Sequence, residues 1–177
     1  NIFAVNMSVQ SMDDEVLKNI KRSNIKLDAY KEVNKSLQKN GRSTKAEMIF
    51  PLPGETKESF MRGIENLISS GISSLTIYTL MLLNGTEFKN TQYRKEFDIK
   101  GRFRIVPLNF GEYEGEKIFD FEEVGIQTKD MPFEDYLYLR GVALMIESLI
   151  NGRVFEEFFL YSKSLGVGRT EFLKRIY

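Results

Sequence analysis

Chemistry in this chain has to be built from a short menu, because its 177 residues include no histidine and no cysteine. A Ser-His-Asp triad, a cysteine nucleophile and an ordinary zinc site are therefore excluded within these residues. Acid–base work falls to Asp, Glu, Lys or Tyr. The polar groups spaced to act together sit at three points: Gln10-Ser11 followed by Arg22, the stretch Pro51-Leu52-Pro53-Gly54-Glu55-Thr56, and Leu82-Leu83-Asn84-Gly85-Thr86. A rim of glutamine, arginine, acid and free backbone amides suits a polar small molecule carrying a carboxylate and ribose hydroxyls. Each group also has a plain structural use. Arg22 complements a helix C-terminus, Gln10 can bond its own turn, and Glu55 and Thr56 fit a helix start.

Three short apolar runs have to hold those points together. Ile2 to Val9, Ala46 to Phe50 and Ser74 to Leu82 read as strands rich in apolar and β-branched residues. Between the first two, Ser11 and Asp14 match a capping box ahead of a helix with Val16, Leu17 and Ile20 inward. A second helix runs over Leu27 to Lys39 with Leu27, Tyr30, Val33 and Leu37 inward, and stops at Asn40-Gly41. After the second strand, two prolines and a glycine force a reversal, and Phe60, Ile64, Leu67 and Ile68 form the inner face of the next helix. Near-continuous apolar strands alternating with helices predict an α/β fold with parallel pairing, whose ligand site lies at the C-terminal strand ends.

Past residue 87 the texture changes. Residues 88–130 are expected to be irregular or extended, with a partly helical Phe88 to Lys100. Arg102 to Leu108 and Lys117 to Thr128 are expected as strands joined by the Gly/Tyr/Glu-rich residues 111–115. Residues 131–177 read as helical, led by a helix over Phe133 to Ile150 that is apolar nearly all round and so expected to be buried. Shorter helices follow over Val154 to Ser162 and Thr170 to Ile176. The acids Glu112, Glu114, Glu116, Glu122 and Glu123 read as a solvated face, and Gly166-x-Gly168 lacks the strand that a phosphate loop needs.

Lys+Arg and Asp+Glu balance at 25 each, so no net field favours nucleic acid or an anionic membrane surface. No apolar run is long enough to span a bilayer. The lack of cysteine fits a cytoplasmic setting as the default. The sequence starts at Asn1 inside a strand pattern, which reads as a piece of something longer.

The residues at the three rim points carry a resemblance. QSMDDEVLKNIKR (Gln10 to Arg22) resembles the segment after the fourth barrel strand of radical S-adenosylmethionine (SAM) enzymes. The likeness is greatest to the branch of coproporphyrinogen dehydrogenases, elongator-like proteins and cobalamin-binding members. LPGETKESF resembles that branch's turn after strand five. LLNGTEF resembles its turn after strand six, with Asn84 where proline is usual. The resemblance implies the C-terminal half of a (β/α) barrel over residues 1–87. It implies Gln10 on the SAM ribose or methionine, Arg22 on its carboxylate, Glu47 nearby where the branch has Asp, and the backbone at Met81 and Leu82 beside the adenine. A planar guanidinium suits the carboxylate because it can bond both oxygens.

The cofactors implied are SAM and a [4Fe–4S] cluster, with cobalamin in some members. The family's Cys-x3-Cys-x2-Cys cluster loop is missing here, so the expectation is an inactive fragment of a parent that cleaves SAM. Its partner would be the N-terminal half of the same protein, with a small-molecule or lipid-like substrate. No nucleic-acid partner is expected, and the open strand edge at 2–9 is expected to be covered by a second copy or by the chain's own C-terminal segment. The alternative is a non-catalytic α/β binding or interaction module that uses that edge and the apolar helix to dock on a partner chain.

Overall fold

Three parallel strands form the centre of the molecule. The computed structural model describes residues 5–24, 27–40 and 42–176. Strands β1 (Val5–Gln10), β2 (Thr44–Phe50) and β3 (Ser74–Thr79) lie in chain order, all parallel, as the alternation of strands and helices predicted. Residues 2–4 of the first expected strand, and Gly41 of the expected helix stop, lie outside the described residues. In β2 the period of two separates two faces: Thr44, Ala46, Met48 and Phe50 are buried, while Lys45 is exposed and Glu47 and Ile49 are half-buried on the other face.

The buried face is covered by helices. Helix α1 (Asp14–Asn19) and helix α2 (Leu27–Lys39) connect β1 to β2, and α3 (Lys57–Ser69) connects β2 to β3. Phe60, Ile64 and Leu67 of α3 are buried as the i, i+4, i+7 spacing predicted, packed with Met48, Phe50 and Leu75 of the sheet. Two local expectations are corrected. The N-cap of α1 is Asp13, not Ser11: its Oδ1 accepts from the N–H groups of Glu15 (3.0 Å) and Val16 (3.2 Å). In α2, Tyr30 is buried but Val33 is 43% exposed, and the buried neighbour is Asn34. Asn34 Nδ2 donates to the Ser70 carbonyl (2.6 Å) and its Oδ1 accepts from the Thr44 hydroxyl (2.5 Å), so one amide joins α2, the end of α3 and the start of β2.

After β3 a single 3₁₀ turn (Glu87–Lys89) and helix α4 (Thr91–Glu96) lead into a two-stranded antiparallel hairpin, β4 (Lys100–Tyr113) and β5 (Glu116–Gln127). It is longer than the sequence suggested, because residues 111–113, expected as linker, continue β4. The turn is Glu114-Gly115 with φ +52° and +85°, the pair of positive angles that matches the twist of a two-residue hairpin. One face of the hairpin carries Phe103, Ile105, Phe110, Phe119 and Phe121, each more than half exposed.

Helix α5 (Phe133–Met145) runs on into a π-helical segment, Ile146–Asn151, and helices α6 (Glu156–Ser164) and α7 (Arg169–Ile176) complete the chain. The expectation that the long apolar helix is buried nearly all round is corrected. Tyr136, Leu139, Val142, Ile146 and Ile150 face the core, while Leu137 and Leu144 are 50% and 66% exposed. Helices α6 and α7 join the same core through Phe159 and Leu173, and Lys174 of α7 pairs with Glu65 of α3.

The two edges of the sheet differ. At the start of β3, the Asn151 side chain accepts from the Leu75 N–H and donates to the Leu75 carbonyl, both at 2.9 Å, as a neighbouring strand would. Beyond its end, the Gly125 N–H donates to the Leu80 carbonyl (2.8 Å) and the Leu82 N–H to the Glu123 carbonyl (2.9 Å), so β5 joins the chain just past β3. Among the described residues, no strand pairs with the outer edge of β1.

Candidate functional site

The C-terminal ends of β1, β2 and β3 open onto a cavity of about 640 Å³. Each strand end reaches it through a turn with its own chemistry.

At the end of β1, Gln10 has φ +62° and the Ser11 N–H donates to the Val9 carbonyl at 2.8 Å. This is a positive-φ γ-turn, a strained conformation for a residue with a side chain. It breaks the register with β2 and turns Gln10 into the cavity lining. Ser11, fully buried, anchors the turn: its Oγ accepts from the Asp13 N–H (3.1 Å) and bonds Glu55 Oε2 (2.5 Å), and its carbonyl accepts from Asn24 Nδ2 (2.6 Å).

Helix α1 ends in a Schellman motif. Lys21 adopts φ +55°, its N–H donates to the Lys18 carbonyl (3.1 Å), and the Arg22 N–H reaches back to the Leu17 carbonyl (2.8 Å). Arg22 is thus fixed on one side by the helix end and on the other by Asn24 bonded to Ser11.

After β2, the cis Phe50-Pro51 bond leads into Leu52-Pro53-Gly54-Glu55. Gly54 has φ +87° and the Glu55 N–H donates to the Leu52 carbonyl (3.0 Å), a type II turn with proline and glycine in their favoured places. Asn19 Nδ2 holds the Pro53 carbonyl (3.1 Å), and the Tyr93 hydroxyl holds the Asn19 carbonyl (2.9 Å). Thr56 caps α3 in a reciprocal box with Ser59, as the sequence predicted for a helix start. Glu55 has a different role: its carboxyl is fully buried between Ser11 and Ser59. Burial pushes that carboxyl above the usual glutamate range, helped by the nearby Asp13 and opposed by the two serine bonds and Arg62.

The cavity lining combines the apolar side chains of Ile20, Ile49, Leu52, Tyr78, Leu80 and Met81 with the cations Lys21, Arg22 and Arg104 and the acid Glu87. Lys21 is paired with Glu87, and Arg104 Nη2 with Glu122 Oε1 at 2.5 Å. The guanidinium of Arg22 has no ion-pair or hydrogen-bond partner among the described residues and is exposed. Of the residues singled out from sequence, Gln10, Arg22 and Met81 come together around the cavity. Glu47 does not line it; it lies one step down the open sheet face, where the Ser8 hydroxyl donates to it at 3.3 Å. Leu82 does not line it either: its side chain is buried with Val16, Leu52, Phe97 and Ile99. Lys21, Tyr78 and Arg104 were missed. Tyr78 was within reach of the strand alternation, since it pairs in register with Ile49; Arg104 comes from the distant hairpin and carried no local signal.

No family model matches the chain. Its sequence is 27% identical over 176 residues to the cobalamin-dependent radical SAM methyltransferase TokK of Streptomyces tokunonensis, covering 97% of this chain and 25% of that protein. It is 26% identical over 90 residues to the heme chaperone HemW of Lactococcus lactis, covering 51% of this chain and 24% of that protein. Among solved structures, the radical SAM coproporphyrinogen III oxidase HemN of Escherichia coli superposes with a TM-score of 0.39 at 23% identity, over 41% of this chain and 17% of that one. The chain spans about a quarter of the length of the curated relatives it matches. By sequence, the chain is a relative of the radical SAM enzymes.

Proposed function

We propose that this chain forms one side of the SAM site of a radical SAM enzyme. Gln10 faces the ribose or methionine part, Arg22 takes the carboxylate, and Met81 borders the adenine. Arg22 carries this reading: it is a guanidinium without a partner among the described residues, sharing with Gln10 the lining of a largely apolar cavity where three parallel strands end. Leu82 contributes less than expected, since its N–H is already bonded to Glu123, and Glu47 is left as a more distant polar neighbour on the open sheet face. In this reading residues 1–87 are the C-terminal βα units of the barrel, 88–130 cover its open side and 131–177 are a helical appendage. Cobalamin enters through the TokK relationship alone. The family's cluster supplies the electron that splits SAM, but it needs thiolates and these 177 residues contain none. This chain's part is therefore binding and orientation.

Titration with SAM, followed by ¹⁵N shifts, is the test. Signals of Gln10, Arg22 and Met81 should move together, and Arg22→Ala should weaken binding roughly 10- to 100-fold, the loss of one charge-assisted hydrogen-bonding group. Shifts absent from these three residues would refute the assignment. The exposed apolar face of the hairpin favours a second reading, an interaction module without catalysis. It predicts no response to SAM and no 5′-deoxyadenosine release from any longer protein that contains this sequence.

A further inference from the structure

We propose that Glu55 is the positioning residue of this cavity: through Ser11 it locks both the turn that presents Gln10 and the loop that presents Arg22. Ser11 is the junction. Its N–H closes the Gln10 turn on Val9, its carbonyl receives Asn24 two residues beyond Arg22, and its hydroxyl is held by Glu55 at 2.5 Å. Glu55 is itself fixed at the end of the Pro-Gly turn and against Ser59 of α3. One side chain therefore ties the ends of β1 and β2 together at the point where the ligand-facing groups leave the sheet. The Gln10 turn is strained at φ +62°, so it persists only while its surroundings hold it.

Two serine hydroxyls meet the carboxyl. Ser11 Oγ already accepts from the Asp13 N–H, so its proton goes to Glu55 Oε2. Ser59 Oγ donates to Glu55 Oε1 and itself accepts from the Thr56 N–H at 3.0 Å. Each carboxyl oxygen of Glu55 then has a serine partner. The charged groups that face it are Asp13 at the start of α1, which favours the neutral acid, and Arg62 on α3, which opposes it. Burial is the larger influence and favours the neutral acid.

That Gln10 and Arg22 meet SAM rests on the proposed function; the clamp on Ser11 does not. Hydrogen exchange of the Gln10 and Ser11 amides in the full chain reads the clamp directly. Glu55→Gln, which keeps one donor and one acceptor, should retain protection, and Glu55→Ala should speed exchange of Ser11 by about tenfold while Phe60 and Ile64 of α3 are unchanged. Ser11→Ala removes the same bond from the other side and should loosen Gln10 even if Glu55→Ala fails to fold. If Ser11→Ala leaves Gln10 exchange unchanged, or Glu55→Gln behaves like Glu55→Ala, the clamp is wrong. SAM titration of the same variants separates the two ideas. Wild type that fails to bind overturns the SAM reading alone, while binding that survives Ser11→Ala and Glu55→Ala at full strength overturns the positioning role.

Discussion

Lys21 sits where glycine belongs, and replacing it sets two small effects against each other. At φ +55° in the Schellman turn of α1, a side chain costs roughly 1–2 kcal/mol through its Cβ contacts. Glycine removes that cost but loses about 0.5–1 kcal/mol to its freer unfolded chain. Lys21 also pairs with Glu87, but the two side chains are 73% and 49% exposed. Such a pair is worth about 0.3 kcal/mol and is screened by salt. Lys21→Gly should therefore be slightly more stable than wild type, and Lys21→Ala slightly less, because alanine keeps the strain and loses the pair. The gap between the two variants should be about 1 kcal/mol, or roughly 2–4 °C in a chain of this size. Thermal unfolding followed by circular dichroism at low and high salt resolves it. The wild-type advantage over alanine should vanish at high salt, and the glycine advantage over alanine should persist. A glycine variant less stable than the alanine one would refute the account of this helix end, and with it the fixed placement of Arg22.

Three further outcomes follow from buried polar groups. Tyr30 has a buried hydroxyl with no hydrogen-bond partner among the described residues, so Tyr30→Phe should stabilise the fold by about 1 kcal/mol in urea titrations. Burial raises the Tyr30 hydroxyl to about 12, so the neutral form is favoured in the fold. Wild-type stability should fall between pH 10 and about 12, less steeply in the Phe variant; Tyr93, also raised to about 12 by burial with Glu87 and Glu96 nearby, keeps part of that slope. Asn34→Ala strands the Ser70 carbonyl and the Thr44 hydroxyl and should cost about 2–4 kcal/mol, visible as a lower urea midpoint at unchanged slope. For Glu55, whose folded carboxyl is raised, the stabilising contribution is complete below the usual glutamate range and fades as pH rises towards the raised value. Glu55→Gln should flatten that part of the stability–pH curve.

Much of this was legible in the sequence. The parallel strands announce themselves by apolar runs bounded by turns, and Pro53-Gly54 and Thr56 specify a type II turn and a helix cap by local chemistry alone. Errors arose where two residues of like propensity stand close together. Ser11 and Asp13 are both good caps, and only the burial of Ser11 against Glu55, 44 residues away in sequence, decides between them. Asn34 fits the helical period of Leu27, Tyr30 and Leu37 better than Val33 does, but its polarity hid it; it is buried because two distant polar groups need its amide. Leu137 and Leu144 show that apolar content does not fix which face of a helix is covered. At the site, Gln10 and Arg22 carried a spacing signal. Arg104 and Glu55 depend on a hairpin and a buried pair that no local window contains.

Asn151 and β5 have a further effect on how the sheet can be extended. They occupy backbone groups of Leu75, Leu80 and Leu82 that a strand beyond β3 would otherwise use, whereas no strand among the described residues pairs with the outer edge of β1. The β1 edge is therefore the more open of the two. A peptide offered as an extra parallel strand meets the least obstruction there, and its arrival should be registered first by the amides of Val5 to Gln10. Cutting the Asn151 amide back to alanine would free the Leu75 backbone groups while β5 still held Leu80 and Leu82.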